Sequence, residues 1–272
     1  MKYTYLKPIK RSKFRIALGK RYFILKRKVQ WFKSRKYFPK LDVNVMLPYG
    51  IFKHKTPLYR GLKAVDSWMD DHKVVNISLA IKNLNGLVIH PGQVFSYWKL
   101  IGNPRKSKGY LMGMVLDHGK FKSGRGGGLC QLSNLIFWMT LHSPLEVIER
   151  HRHSYDVFPD VNRTQPFGSG ATCVYNYRDL QIKNNTQESF QFKFEIKDKH
   201  LFGEILSSRE KCFTYKIYES SHHITLEHWG GYLRHNAIYR KVFTEDDQEI
   251  DDAFICENHG IMMYAPLLED AR

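Results

Sequence analysis

The sequence predicts an α+β fold, with a mainly antiparallel sheet packed on a buried central helix and a basic N-terminal extension. Three observations lead to this prediction. Apolar side chains alternate with polar ones from Phe190 to Ile196, as in a strand with one buried face. Apolar residues occupy every face of the segment after Cys130, which indicates a buried helix. The first 40 residues contain 15 Lys or Arg and no Asp or Glu.

This uneven charge divides the chain into two predicted regions, a basic, aromatic-rich arm over residues 1–40 and a globular domain over residues 41–272. The globular region has 28 basic against 26 acidic residues, so the arm accounts for most of the net charge of +17. The arm fits a helical extension whose aromatic residues pack on the body, peripheral contact with an anionic membrane, or phosphate contacts to nucleic acid. No base-reading motif supports the last partner, so nucleic acid is the least expected.

The globular region shows a succession of short elements. Residues 76–86 have the apolar spacing of a helix, which Gly86 can end in the left-handed conformation. Residues 87–89 predict a short strand, and residues 171–183 a hairpin. The alternation of residues 190–196 recurs at residues 213–217 and predicts a second long strand.

No apolar stretch has the length of a signal peptide or a membrane span. Lys20 and Arg21 separate the two best candidates, residues 16–18 and 22–25. The four cysteines are far apart and form no CxxC pair, which is compatible with a reducing compartment. We therefore expect a cytoplasmic protein that can lie at the inner face of the membrane.

Three consecutive glycines, Gly126, Gly127 and Gly128, precede the predicted buried helix. Glycine runs occur where a turn is tight or where a ligand must approach the backbone. Cys130 then lies near a helix N-terminus, where unpaired amides and the helix dipole favour the nucleophilic thiolate. The same amides can hold a developing oxyanion, with Gln131 as a side-chain donor. These features predict a cysteine-centred site for acyl transfer.

Two histidines downstream supply a candidate general base. His153 is the preferred base and proton shuttle, and His151, on the same face of a predicted strand, is the alternate. Asp156 or Asp179 can orient the imidazole as the third member of a nucleophile–base–orienter triad. The same segment contributes two predicted substrate contacts, Arg150 and Ser154.

Each of these residues also has a plainer interpretation. A lone cysteine before an apolar helix is usually a small buried residue, and a His-x-His pair is more often structural than catalytic. A metal site is a further alternative, but no third ligand stands out, so neither a metal nor another cofactor is predicted. The remaining cysteines are predicted to be inert and a second histidine cluster to be structural: Cys173, Cys212, Cys256, His222, His223, His228 and His235.

The run Gly-Gly-Gly-Leu-Cys-Gln-Leu-Ser-Asn at residues 126–134 resembles the signature of the VanW family, which takes its name from a protein encoded in a type of glycopeptide-resistance cluster. Further segments agree with the family in order: residues 91–96, 109–110, 149–154, 166–172, 179–180 and 184–186. The similarity covers most of residues 45–265.

The resemblance implies a function. Some secreted members with VanW domains resemble L,D-transpeptidases, which crosslink peptidoglycan through a cysteine acyl-enzyme, and the implied nucleophile is Cys130. The expected function is therefore cysteine-dependent acyl transfer, transpeptidase-like or amidase-like, on a cell-wall peptide or its precursor. The alternative is a non-enzymatic accessory protein of glycopeptide resistance, whose glycine loop would bind an anionic peptide or precursor group.

Two positions depart from the family pattern. Gly170 stands where modular members tend to have an aspartate, and Gln93 stands where many relatives have Glu. If that aspartate orients the base, this chain must use another carboxylate. Peptidoglycan crosslinks also form outside the cytoplasm, whereas no export signal is predicted here. A precursor at the inner membrane face is therefore the expected substrate.

Overall fold

Antiparallel strands are the commonest regular structure in the described residues, as the alternation of apolar and polar residues predicts. The structure, a computed structural model, describes residues 11–41, 45–59, 67–117, 119–157 and 165–264. Its helices and sheets confirm the predicted α+β class.

The helices carry few of the described residues. The α-helices in this part of the chain are α1 (Lys13–Lys33), α2 (Ser67–Ile81), α3 (Tyr97–Ile101) and α4 (Cys130–Leu141). Short 3-10 turns occur at Arg35–Tyr37 and Lys106–Lys108. None of the described helices combines the length and the apolar character that crossing a bilayer requires.

The strands form four sheets in the described residues. They are β1 (Tyr49–Pro57), β2 (Leu87–Ile89), β3 (Val94–Ser96), β4 (Met112–Asp117), β5 (Lys120–Arg125), β6 (Glu146–Glu149), β7 (Tyr155–Asp156), β8 (Gln181–Lys183), β9 (Phe190–Lys197), β10 (His200–Ser207), β11 (Thr214–Leu226), β12 (Tyr232–Phe243) and β13 (Glu249–Met262). Their orders are β1-β10-β9-β2, β11-β12-β13-β7, β3-β8-β6 and β4-β5. The pairing of β13 with β7 is parallel, and the other pairs of these strands are antiparallel.

Helix α4 lies in the hydrophobic core. Ten of its 12 residues are buried, Cys130 and Asn134 being the exceptions. The helix contacts β1, β6 and β10. Gly203 of β10 allows an especially close approach, since an added Cβ there would lie 2.6 Å from Met139 Sδ. The apolar residues on every face of this segment are thus explained by contacts on every side.

Two local predictions differ from the structure. The helix predicted at residues 76–86 is α2, which begins at Ser67 and ends at Ile81, with turns leading on to Gly86. Its first two turns carry polar residues, so apolar spacing alone does not reveal them. The hairpin predicted at residues 171–183 is a single bridge between Val174 and Arg178. Strand β8, which follows it, pairs instead with β3 and β6.

Helix α1 contacts the body through its two buried residues, Arg27 and Trp31. The Arg27 guanidinium forms an ion pair with Glu149 of β6. Lys99 of α3 lies over the Trp31 ring, with its Nζ 5.8 Å from the ring centroid. Packing of the arm's aromatic residues on the body therefore holds for Trp31, whereas Phe14 is exposed. The boundary between arm and body at residue 40 stays a prediction.

Replacing Arg27→Ala should lower the free energy of unfolding by about 3 kcal/mol, because it removes one partner of a largely buried ion pair. The matched control is Arg209→Ala, whose partner Glu188 lies 3.5 Å away on the surface, and which should cost about 0–1 kcal/mol. Urea denaturation measures both. Equal losses in the two variants would contradict the role given to the Arg27–Glu149 pair.

Candidate active site

The glycine loop, residues 126–128, packs against the backbone of the protein itself. An added Cβ on Gly127 would lie 2.1 Å from the carbonyl carbon of Gly113 in β4. Gly128 has a φ of +89°, and a Cβ there would lie 2.2 Å from Lys73 Cγ in α2. Of the two reasons considered for the glycine run, close packing in a tight turn therefore explains it.

Two buried side chains hold this loop in place. Asn76 of α2 donates from Nδ2 to Gly127 O over 2.9 Å, and its Oδ1 accepts from the amide of Leu111 over 2.8 Å. The Tyr97 hydroxyl donates to Leu129 O over 2.8 Å. Because Asn76 and Tyr97 are fully buried, these bonds are shielded from water. They fix the backbone that leads into Cys130.

Most amides at the start of α4 already have acceptors. Across residues 126–133, every amide except that of Cys130 donates to a carbonyl of the described backbone. Gln131 donates to Gly128 O over 3.0 Å, for example. The amides predicted to bind an oxyanion are therefore engaged in this structure, and the N–H of Cys130 itself is the one that remains for a substrate.

The Cys130 sulfur donates a weak hydrogen bond to Cys173 O, 3.8 Å away. Burial raises the pKa of the Cys130 thiol, and the contact with the Cys173 backbone offsets this only in part. The physical cause is desolvation, which disfavours the charged form of a buried thiol. Burial thus acts against the thiolate that the helix N-terminus is expected to favour, and that expectation stays a prediction.

His153, the preferred base, lines the same cleft as Cys130. Burial lowers the pKa of His153 to about 4, and the charges of Arg152 and Arg178 act in the same direction. The ring is therefore neutral at pH 7 and able to accept a proton. Within the described residues, the Cys130 sulfur makes no hydrogen bond to an imidazole.

His151, the alternate base, is paired with a carboxylate. Its Nε2 lies 3.0 Å from Glu149 Oε1, which also accepts from Arg27 and from the Asp179 amide. Burial alone would raise the pKa of Glu149, but hydrogen bonds from His151 and Arg27 outweigh it and the pKa is lowered. Glu149 therefore stays charged and holds the His151 ring.

The two aspartates proposed as orienting residues have other partners. Asp156 is buried and accepts from the Tyr264 hydroxyl over 2.8 Å, with Arg234 3.6 Å away. Asp179 accepts from the Ser96 hydroxyl and from the Trp98 amide. Burial raises the pKa of Asp179 to about 6, although these hydrogen bonds lower it. The structure thus shows neither aspartate bonded to His151 or His153.

Gln131 and Arg150, two of the predicted substrate contacts, form hydrogen bonds to other residues of the protein. The Gln131 amide donates to Thr56 Oγ1 over 3.0 Å and to Pro57 O over 2.7 Å. The Arg150 guanidinium donates to Gly170 O over 2.8 Å and to Gly168 O. Ser154 differs, because it is exposed in the cleft.

The departure at Gly170 has a local structural reason. An added Cβ on Gly170 would lie 2.6 Å from Asn134 Oδ1. That oxygen accepts from the Ala171 amide over 2.9 Å, and Ser133 donates to Ala171 O over 2.7 Å. The first turn of α4 therefore holds the segment that places Cys173 beside Cys130, and an aspartate at position 170 would displace Asn134.

The site opens into a cleft of about 2310 Å³. This volume exceeds the roughly 300–1,000 Å³ typical of a small-molecule pocket. Arg125, Arg152 and Arg178 are among the lining residues, and they favour an anionic ligand.

The other cysteines and histidines lie in varied surroundings. The four cysteines are free thiols, and burial raises the pKa of Cys173 well above its ordinary value. In the second sheet, His235 Nδ1 lies 2.7 Å from His259 Nδ1, and Arg234 donates to His222 Nε2 over 2.8 Å. Among the described residues, no group of three or more His, Cys, Asp or Glu side chains is arranged to hold a metal ion.

Sequence reasoning missed three residues that build this site. Glu149 lies two positions before His151, and strand positions two apart share a face, so the spacing alone could have identified it. Asn76 is a polar residue within the apolar helical pattern, and this exception to the pattern could have identified it. Asn134 carried no signal beyond its place in the signature run.

The chain is similar to known bacterial proteins. A family described as VanW like protein matches residues 72–206. Over 223 residues the chain is 36% identical to the vancomycin B-type resistance protein VanW of Enterococcus faecalis (strain ATCC 700802 / V583), covering 82% of this chain and 81% of that protein. Over 109 residues it is 31% identical to the uncharacterized protein YoaR of Bacillus subtilis (strain 168), covering 40% and 34%. No solved structure matches significantly.

Replacing Gly127→Ala should destabilise the fold by about 3 kcal/mol or more, because the new methyl group meets backbone that cannot move aside. The control is Gly19→Ala in α1, where an added Cβ meets nothing within 4 Å and the gain in helix propensity is about 0.5–1 kcal/mol. Thermal unfolding compares the two. A neutral Gly127→Ala would show that the loop does not pack as described.

Proposed function

The chain belongs to the VanW family, and we propose that it catalyses cysteine-dependent acyl transfer on a cell-envelope peptide or its precursor. One observation carries the proposal. Cys130 and His153 are both lining residues of one large cleft, the Cys130 amide has no acceptor among the described residues, and the His153 imidazole is neutral. A nucleophile, an oxyanion donor and a base therefore share one space.

The substrate class is carried over from the relatives. The similar Enterococcus faecalis protein is a vancomycin B-type resistance protein, which supports a link between this chain and glycopeptide resistance or cell-wall metabolism. The dimensions of the cleft suit a peptide or precursor strand, and its arginines suit the anionic groups of such a strand.

The proposed reaction proceeds through a thioester. Cys130 Sγ attacks the acyl carbon of the donor peptide, its proton passes to the His153 imidazole, and the oxyanion accepts from the Cys130 N–H. The C–N bond then breaks as the imidazolium returns the proton to the leaving amine. An amine acceptor completes a transpeptidation and water completes a hydrolysis, each by attack on the thioester with release of the thiol.

The resting site holds a thiol and a neutral imidazole rather than a thiolate–imidazolium pair, because burial raises one pKa and lowers the other. Each unit of difference between the two values adds about 1.4 kcal/mol to the proton transfer. Proton transfer must therefore accompany attack on the bound carbonyl. The substrate, by displacing the contact of Sγ with Cys173 O, would bring the sulfur and the ring together.

Non-enzymatic binding of an anionic peptide or precursor group is the second candidate, and the raised pKa of Cys130 favours it. The glycine-loop amides are engaged, so basic cleft residues such as the exposed Arg178 would have to bind the ligand. In that case the protein would bind the peptide and form no adduct on Cys130.

Labelling with iodoacetamide tests the nucleophile. The thiolate is the reactive form, and a raised pKa leaves less thiolate at a given pH. Labelling of Cys130 should therefore increase with pH and reach half its maximum above the pH found for a free cysteine. Mass spectrometry should find no label at position 130 in Cys130→Ala, whereas Cys212→Ala should match the wild type at that site. Equal total labelling of wild type and Cys130→Ala would refute the assignment.

Acylation by p-nitrophenyl acetate tests the base. With a His153 pKa of about 4, the imidazole is unprotonated from about pH 5 upward, so base-assisted acylation of Cys130 should be independent of pH until the thiol begins to ionise. His153→Gln should lose this flat region and keep the thiolate-dependent rise. An unchanged profile in His153→Gln, with His151→Gln losing the flat region, would assign the base to His151.

A further inference from the structure

Helix α1 exposes a row of apolar side chains along one face. At about 100° per residue, positions three or four apart share a face, and this spacing relates all members of the row. They are Phe14, Leu18, Tyr22, Leu25, Val29 and Phe32, and all are exposed, Phe14 by 79% and Leu25 by 63%. We name this row the apolar stripe. Six large apolar side chains in one exposed row exceed the scattered exposure normal for a soluble domain.

Basic residues flank the stripe on both sides. Arg15, Lys26 and Lys33 lie along one edge, and Arg21 and Lys28 lie along the other, all exposed. The first 40 residues contain no Asp or Glu, so no acidic side chain of this segment neutralises them. A helix with apolar residues on one face and Lys and Arg beside them has the composition of an interfacial helix that binds anionic membranes.

The remaining faces of α1 are already in use. Arg27 and Trp31 contact the body, and Gly19 and Phe23 line the cleft that contains Cys130. The stripe therefore points away from the body of the protein. A surface bound to the stripe would lie on the side of α1 opposite Arg27 and Trp31.

We infer that α1 binds the surface of a bilayer containing anionic lipids, with the apolar stripe inserted among the lipids and the flanking Lys and Arg on the phosphates. Nucleic acid would attract the positive charge of the helix. It would not bury the exposed Leu18, Leu25 and Val29, because these side chains cannot stack on bases. A second copy of this helix would bring its uncompensated positive charge against the same charge. A lipid surface satisfies both features of the helix.

Binding to the bilayer is independent of the cysteine chemistry. It would hold the cleft close to the membrane, where lipid-linked or membrane-proximal anionic substrates are concentrated. Cys130→Ala should bind vesicles like the wild type, so the two proposals fail separately.

Cosedimentation of the purified full chain with vesicles tests the inference. Vesicles of phosphatidylcholine with roughly a quarter phosphatidylglycerol should bind the protein, and pure phosphatidylcholine should bind it at least about tenfold less. The triple variant Leu18→Ser, Leu25→Ser, Phe32→Ser should bind the anionic vesicles at least about tenfold more weakly, because three apolar side chains no longer insert.

Two further variants complete the design. A matched control replaces three exposed apolar residues elsewhere, Leu226→Ser, Ile250→Ser and Phe254→Ser, and should bind as the wild type does. Arg21→Gln, Lys26→Gln and Lys28→Gln together should weaken binding and reduce its dependence on salt. All variants alter exposed residues, and circular dichroism verifies that each is folded.

Several outcomes would overturn the inference. These are absence of binding to anionic vesicles, and equal binding by wild type and the stripe variant, which would mean charge attraction without insertion. The inference would also fail if two results came together. Duplex DNA would displace the protein from the vesicles, and the stripe variant would bind that DNA as weakly as it binds lipid. A lipid-free dimer that the stripe substitutions abolish would assign the stripe to self-association instead.

Discussion

The position of Cys130 depends on the contact between two stretches of backbone. Gly127 lies against Gly113 of β4 with no room for a side chain on Gly127 and little room for one on Gly113. That contact, with the Asn76 and Tyr97 hydrogen bonds around it, ends the β4–β5 hairpin where α4 begins. The buried helix then fixes the direction in which Cys130 leaves the turn. The glycines therefore serve the shape of the chain first, and the chemistry of the site follows from that shape.

The same burial that positions the site opposes its ionisation. Polar side chains of α4 form hydrogen bonds to neighbouring backbone. Ser133 and Asn134 bond to Ala171, and Gln131 bonds to the end of β1. This arrangement is rigid, but it leaves the sulfur facing a carbonyl oxygen rather than a cation, and burial raises its pKa. Under the proposed function, this arrangement would place the nucleophile precisely, and contacts completed by a bound substrate would have to stabilise the charge on it.

The sequence was most informative where one periodicity dominated. The alternation at residues 190–196 and the apolar helix after Cys130 predicted β9 and α4, because a single buried face or a fully buried element leaves a clear pattern. The start of α2 was missed, since its first turns are polar and only later turns reach the core. Partners distant in sequence could not be predicted. Nothing local reveals that Gln131 would bond Pro57 or that Asp156 would face Arg234, because these contacts depend on the tertiary arrangement of the sheets.

Glu149 links helix α1 to the segment that contains the two candidate bases. One carboxylate oxygen accepts from Arg27 of α1, from the His151 ring and from the Asp179 amide. The attachment of α1 and the orientation of His151, two positions before His153, therefore rest on the same charge. If α1 were withdrawn, Glu149 would lose the hydrogen bond and the ion pair with Arg27, both of which lower its pKa. Helix α1 is therefore linked, through the Arg27–Glu149 ion pair, to the segment after β6 that contributes His153 to the lining of the cleft.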